Sequence, residues 1–283
     1  MDISEKSFDK QQLHALSLKD TLEILNTLKQ SPKKHLGQNF LVDKNIVRKS
    51  LQLANVSAGD NIVEVGPGLG TLTRELLATG CNVFAVEFDK FLFEYLQSTF
   101  KNLKNFNIFY GNAVEFPTAG FDSDTKNFKV VANLPYNIST PWFDAILSHT
   151  NLPETITVML QKEAALRLTS DHGSKHFSAI SIFLNSAYDV VTIFPVARSS
   201  FSPMPKVDSA ILHLKKRHSV KIFSSHTKDL IRKIFTQRRK QLLSLVKNFA
   251  PEELDQFTRL LENFQLSPTS RPEECPITFW QNL

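Results

Sequence analysis

The chain has 283 residues, 42% of them hydrophobic, and no low-complexity segment, which suits one large domain with a smaller one beside it. Its 33 Lys and Arg against 28 Asp and Glu leave a net charge of +5, compatible with a nucleic-acid partner without establishing one. Cys81 and Cys275 stand far apart in no ligand spacing, so neither a disulfide framework nor a zinc site is expected, and a reducing cytoplasm is the expected compartment.

The N-terminal "MDISEKSFDKQQLHALSLKD" carries acids and no continuous apolar run, so neither a signal peptide nor a membrane span is expected there. "DTLEILNTLKQ" follows as a short amphipathic helix with Leu22, Leu25 and Leu28 on one side, and Asp43 N-caps a helix from Lys44 to about Ala54. Strands and helices then alternate. "NIVEV" is a strand, "TLTRELLATG" a helix closed by Gly80, "CNVFAVE" a strand, and "KFLFEYLQSTF" a helix capped by Asp89. "NFNIFY" and "FKVVAN" are strands, Thr140-Pro141 opens a helix to about His149, and "TITVMLQ" is a fifth strand. Such alternation predicts an α/β fold with a Rossmann-like, mostly parallel sheet. "KEAALRL" and "SAISIFLNSA" read as helices, and "YDVVTIF" and "SAILHL" as a hairpin-like pair that closes the sheet with an antiparallel last strand. Beyond Lys215, "HTKDLIRKIFTQRRKQLLSLVKNF" reads as one long helix with Ile231, Ile234, Phe235, Leu242, Val246 and Phe249 on one side, and "PEELDQFTRLLENF" as another. The expected division is a leader with a short helix over 1–30, a sheet domain over 31–214, and a small all-α domain over 215–283.

"EVGPGLGTLT" lies directly after the first strand of the alternation, with Gly66, Gly68 and Gly70 spaced G-x-G-x-G. Glycines there let the backbone approach a ligand and turn sharply into a helix whose amides face it. The dinucleotide spacing G-x-G-x-x-G fails because position 71 is Thr. The tighter spacing and the preceding Glu64 fit S-adenosylmethionine better, a ligand with no pyrophosphate to cradle. Glu87 ends the next strand, where a carboxylate can accept both ribose hydroxyls; that suits NAD equally. Asn112 follows the third strand, where its amide oxygen can accept from an adenine amino group, or where Gly-Asn simply makes a turn.

The fourth strand ends in "NLPY". In a sheet of this kind that end adjoins the first strand and faces the cofactor. An exocyclic amine is a poor nucleophile because its lone pair is delocalised into the ring. Two acceptors on its two hydrogens, the side-chain oxygen of Asn133 and the carbonyl of Leu134, can pull the nitrogen toward a tetrahedral geometry. Pro135 biases Leu134 toward an extended conformation, and Tyr136 offers a ring on which a flipped base stacks. Catalysis then needs orientation and no strong base. A strand stopped by an ordinary turn is the competing explanation.

Taken together in order, "KKHLGQNFLVD", "EVGPGLGTLT", Glu87, "NLPYNIST", "MLQKEAALRL", "FSPMPKVDSAILHL" and "FTQRRKQLL" resemble the ribosomal RNA adenine dimethyltransferases over roughly residues 20 to 275. The resemblance implies a methyltransferase that uses S-adenosylmethionine to make N6,N6-dimethyladenosine. It implies that Gln38 and Asn39 reach the cofactor with Leu41 lining its pocket, and that Phe201 sandwiches the target base against Tyr136. It implies that Lys33, Lys34, Arg238, Arg239 and Lys240 lie near RNA phosphate. The chain departs from the family in carrying Asn112 where Asp is usual, and "RPEECPITFW" where the family continues R-x-E-x-L. The implied substrate is two neighbouring adenosines near the 3′ end of small-subunit rRNA, met within a pre-ribosomal particle by a monomer. Competing readings are a methyltransferase of large-subunit rRNA of the macrolide-resistance type and a non-catalytic assembly or transcription factor on the same fold. An NAD-dependent dehydrogenase is a third, disfavoured by the G-x-G-x-G spacing.

Overall fold

Four consecutive residues, Ile62 to Val65, are buried, a pattern that a strand satisfies only when both faces of its sheet are covered. In the computed structural model, which describes residues 13–122 and 127–283, this strand sits mid-sheet. The predicted leader before residue 13 lies outside the described residues. In chain order the strands are β1 (Phe40–Leu41), β2 (Asn61–Val65), β3 (Asn82–Glu87), β4 (Phe106–Tyr110), β5 (Lys129–Asn133), β6 (Thr155–Gln161), β7 (Tyr188–Val196), β8 (Phe201–Ser202) and β9 (Ser209–Lys216). Seven of them form one sheet in the order β4-β3-β2-β5-β6-β9-β7. β2 is parallel to β3 and β5, β3 to β4, and β5 to β6. β9 runs antiparallel to β6, from Thr155↔Lys215 to Gln161↔Ser209. The expected closing pair is present, with β9 inserted between β6 and β7. β1 and β8, too short to leave a periodic trace in sequence, pair antiparallel as a separate ribbon, Leu41 opposite Phe201.

The strand order reverses beside β2, so the C-terminal ends of β2, β3 and β5 converge on one crevice. Helices flank it: α1 (Leu18–Thr27), α2 (Lys44–Leu53), α3 (Thr71–Ala78), α4 (Lys90–Thr99) and α5 (Ser139–Ile146). Asp43 and Asp89 cap α2 and α4 as predicted, accepting from the amides of Asn45 and Phe91. In α1 the predicted leucine stripe holds at Leu25, whereas Leu22 is 52% exposed. Thr21, four residues before Leu25, takes the inward place, and Leu22 lies one position round the helix. α5 starts one residue before the predicted Thr140 cap position, at Ser139, whose hydroxyl donates to the carbonyls of Pro135 and Tyr136.

The chain divides into two compact units. One runs to Lys162 and takes in Val190–Lys215; the other comprises Glu163–Asp189 and Lys216–Leu283. The helical unit therefore includes residues 163–189, which strand–helix alternation assigns to the sheet domain. It holds most of α6 (Lys162–Leu168), with α7 (Ala179–Asn185), α8 (Ser225–Phe235), α9 (Leu242–Val246), α10 (Pro251–Asn263) and α11 (Ile277–Gln281). Its core is aromatic: Phe235 contacts Phe177 and Trp280, and Phe257 and Phe279 pack on Trp280. The predicted long helix is two helices, α8 and α9. The chain turns at 236–241, where Arg238 donates to the carbonyls of Lys175 and Phe177 at 2.6 Å each and lies 3.4 Å from Glu273. The Leu242 amide donates to Ser270 at 2.8 Å instead of continuing the helical ladder. These partners lie up to 63 residues away in the chain, so the 3.6-residue periodicity ran through the break unaware of it.

Candidate active site

The cavity at the reversal point is lined by the loop 36–41, the glycine turn 64–69 with Thr71 and Leu72 but without Gly70, the ends of β3 and β4, and "NLPYNI" at 133–138. Gly66 and Gly68 have φ of +65° and +62°. A Cβ at Gly66 would lie 3.1 Å from the Pro135 ring, and one at Gly68 would lie 3.2 Å from the Phe40 ring. The turn is thus pressed against both the catalytic-side proline and β1, and only glycine fits. Gly70, at φ +80°, leads directly into α3.

Two acids frame this turn. Glu87 is 6% exposed; its two oxygens accept from the backbone amides of Gly68 (3.1 Å) and Asp89 (2.8 Å). Burial pushes its carboxyl up to about 7 against those hydrogen bonds. Glu64 is 1% exposed and accepts from the Thr73 hydroxyl at 2.7 Å. Burial, reinforced by the neighbouring Glu87, pushes it up to about 8. Glu64 therefore ties β2 to α3 beneath the glycine turn, while Glu87 holds the turn's amides and lines the cavity.

A third acid was legible in sequence only as a helix cap. Asp89 accepts from the Lys33 ammonium at 2.8 Å and from the Gln38 amide at 2.9 Å. Burial acts to raise its carboxyl, but these partners outweigh it and hold it below its ordinary value. The Gln38 oxygen in turn accepts from the Lys33 amide. So Gln38 anchors the 33–41 loop over the cavity, and Lys33, expected at RNA phosphate, is bound to Asp89 and lies 5.1 Å from the Phe91 ring. The Lys34 side chain lies outside the described residues. Leu41 is buried in β1 and lines the cavity as expected.

Asn133 ends β5. Its side-chain amide nitrogen donates to the Asn39 carbonyl at 3.2 Å, which identifies the nitrogen end and leaves Oδ1 as the acceptor of this cavity-lining side chain. Leu134 gives its amide to Met159 of β6, so its peptide is fixed by the sheet. The Pro135 carbonyl accepts from the Ile138 amide, closing the turn, and the Tyr136 hydroxyl pairs with Ser209 at 2.5 Å. Asn112 lines the cavity, but its oxygen accepts from the Val114 amide and its nitrogen donates to Glu115, an Asx turn. Phe88, 58% exposed at the cavity, and Ala113 went unmarked in the sequence because one apolar residue at a strand end carries no pattern.

Phe201, expected to face Tyr136, is 3% exposed and packs in the core cluster with Leu41, Val196 and Ile211; it is not among the cavity-lining residues. Its pairing with β1 turns it inward. In the helical unit Arg238 is committed to backbone carbonyls, as above. Arg239 and Lys240 are exposed and border a shallow basin shared with Ser244, Ser267, Thr269 and Arg271. Among the described residues no group of three or more His, Cys, Asp or Glu could hold a metal ion, and no helix is long and apolar enough to cross a membrane.

Three comparisons bear on this geometry. The family model "Ribosomal RNA adenine dimethylase" matches residues 29–276. The chain is 47% identical over 266 residues to the ribosomal RNA small subunit methyltransferase A of Opitutus terrae, covering 93% of this chain and 96% of that protein. Among solved structures it is similar to a dimethyladenosine transferase from Plasmodium falciparum, with TM-score 0.68 at 24% identity, covering 86% of this chain and 96% of that one. It is also similar to the 23S rRNA methyltransferase ErmE, with TM-score 0.64 at 23% identity, covering 86% and 97%. At those identities the two structures attest the fold alone.

Proposed function

Because the chain belongs to the ribosomal RNA adenine dimethylase family, we propose that it dimethylates N6 of two adjacent adenosines near the 3′ end of small-subunit rRNA, within a pre-ribosomal particle. It is an rRNA adenine methyltransferase on a Rossmann-like sheet. The small-subunit target is supported by the name of the Opitutus terrae relative.

The pocket suits S-adenosylmethionine. A glycine turn packed too closely on Pro135 and Phe40 to take a Cβ without displacing them brings its backbone to the cavity wall, and the buried Glu87 carboxylate stands at the strand end where ribose hydroxyls would donate. Phe88 and Ala113 offer an apolar wall for adenine, and Asn112 a polar one. Bound there, the cofactor supplies an activated methyl group on a sulfonium. The observation that carries the reading is the orientation of Asn133: its nitrogen is held by Asn39, so its oxygen is preset to accept one N–H of the target amine. The Leu134 carbonyl accepts the other. Together they turn the lone pair toward the donor, and Tyr136 stacks the base. No side chain need remove a proton before transfer, since the amine proton leaves to water once the nitrogen is alkylated.

Arg239 and Lys240 are the phosphate contacts we assign to the helical unit, supported by their exposure beside a polar basin. Arg238 is a structural brace. Arg238→Ala is expected to lower unfolding stability by about 1–3 kcal/mol, because its two backbone carbonyls lose a charged donor. Arg239→Ala and Lys240→Ala should leave melting unchanged and make the slope of log affinity for RNA against log salt shallower by about 0.7–0.9 each. A slope unchanged in both would remove the assignment.

The function itself is tested by primer extension on small- and large-subunit RNA after incubation with the protein and S-adenosylmethionine. Stops at two adjacent adenosines near the small-subunit 3′ end are expected. Modification of the large subunit only would overturn the proposal in favour of a resistance-type activity.

A further inference from the structure

We propose that Ser209 is a positioning residue for the transfer, holding the Tyr136 ring in the orientation that receives the target base; this rests on Tyr136 being the stacking platform. The two motifs "NLPY" and "PKVDS" are 73 residues apart, yet the Tyr136 hydroxyl and the Ser209 hydroxyl meet at 2.5 Å. Ser209 is fully buried and is the first residue of β9, in register with Gln161, while the Asp208 carbonyl before it accepts the Lys162 amide at 3.0 Å. Its backbone is therefore fixed by the sheet, leaving one side-chain torsion to place the hydroxyl. The backbone of Tyr136 is fixed too, by the Pro135–Ile138 turn and by the Ser139 hydroxyl on its carbonyl. Between these fixed backbones the two side-chain torsions of the tyrosine and the one of the serine remain, and the hydroxyl pair couples them.

A base needs only an aromatic face to stack, so the ring alone does not call for a phenol. The hydroxyl is explained by its partner. A ring free to rotate has to be immobilised when the base arrives, whereas an anchored one meets it already oriented. Asn133 held by Asn39 and Tyr136 held by Ser209 then form a preset pair, one aiming the amine and the other the plane of the base.

The test is a double-mutant cycle on single-turnover methyl transfer to small-subunit RNA at saturating S-adenosylmethionine, with cofactor affinity read by calorimetry. Tyr136→Phe and Ser209→Ala are each expected to slow transfer about five- to tenfold, the double variant no more than either, with cofactor affinity unchanged. Losses that multiply in the double variant would overturn the proposal. So would wild-type rates for both singles while Tyr136→Ala is inactive, an outcome that leaves the stacking role standing. Full activity of Tyr136→Ala would remove the stacking role and the proposal with it. Should Ser209→Ala fail to fold, Tyr136→Phe decides alone: a wild-type rate overturns the anchor.

Discussion

Asn133→Ala is expected to slow methyl transfer by about a hundredfold or more at saturating cofactor and RNA, the scale seen when a preorganised hydrogen-bonding group is removed from a reacting centre. The side chain ends a strand and is only partly buried, and its hydrogen bond runs from nitrogen to the Asn39 carbonyl. Removing it costs the fold little, so melting should stay near that of the wild type. What is lost is the acceptor proposed to share the amine hydrogens with the Leu134 carbonyl. Asn133→Asp keeps an acceptor but sets a carboxylate oxygen against the Asn39 carbonyl, 3.2 Å from the present nitrogen, and the repulsion turns the group out of register. It should fall between wild type and Ala. A rate for Asn133→Ala within about threefold of wild type, with RNA binding intact, would remove the amine-orienting mechanism.

The second large effect is expected at Glu87. Its two oxygens each accept a backbone amide, from Gly68 and from Asp89, and an amide side chain has one acceptor in place of two. Glu87→Gln therefore sets an N–H₂ against a backbone N–H, and either the glycine turn or the cap of α4 gives way. Cofactor affinity should fall about 30- to 150-fold, the equivalent of roughly 2–3 kcal/mol for a lost charged acceptor. The wild-type pH dependence supplies a check with a definite sign. Burial pushes Glu87 up to about 7. Below that pH the group is protonated and one oxygen becomes a donor, unable to accept a ribose hydroxyl. Affinity for S-adenosylmethionine should rise with pH, by up to about tenfold per unit below the transition, and level off above about 7. Glu87→Gln should show no such step. Flat wild-type binding between pH 5.5 and 8.5 would count against Glu87 as the ribose acceptor.

The sheet and the turns that line the cavity were legible because their signals are local. Apolar runs of strand length, glycines at a strand end and "NLPY" each occupy a few adjacent residues, and the structure brings Glu87, Gly66, Asn133 and Tyr136 round one cavity. What was not legible depends on partners distant in the chain. Asp89 is a helix cap by pattern and becomes the anchor of the 33–41 loop only through Gln38, 51 residues away. Phe201 looks like any aromatic near a proline until β1 pairs with β8 and turns it into the core. The helix break at 236–241 has no proline or glycine to announce it; hydrogen bonds to Lys175, Phe177 and Ser270 impose it. Asn112 shows the reverse: its identity was noted in sequence, but its Asx turn shows that the same amide also shapes the loop.

The position of β9 has a consequence for the order in which a newly made chain becomes competent. Every residue lining the cofactor cavity lies between Leu36 and Ile138. Ser209, the proposed anchor of the Tyr136 ring, lies 73 residues beyond that tyrosine, on a strand that pairs with β6 across a long connection. Contacts of such separation form late, and during synthesis they wait for the ribosome to deliver the second strand. A nascent or truncated chain ending before Ser209 would thus contain every residue of the methyl-donor pocket and lack the latch on the acceptor side. On the roles proposed above, the emerging enzyme would gather its cofactor-side residues first and gain its hold on the substrate base only after β9 has threaded into the sheet.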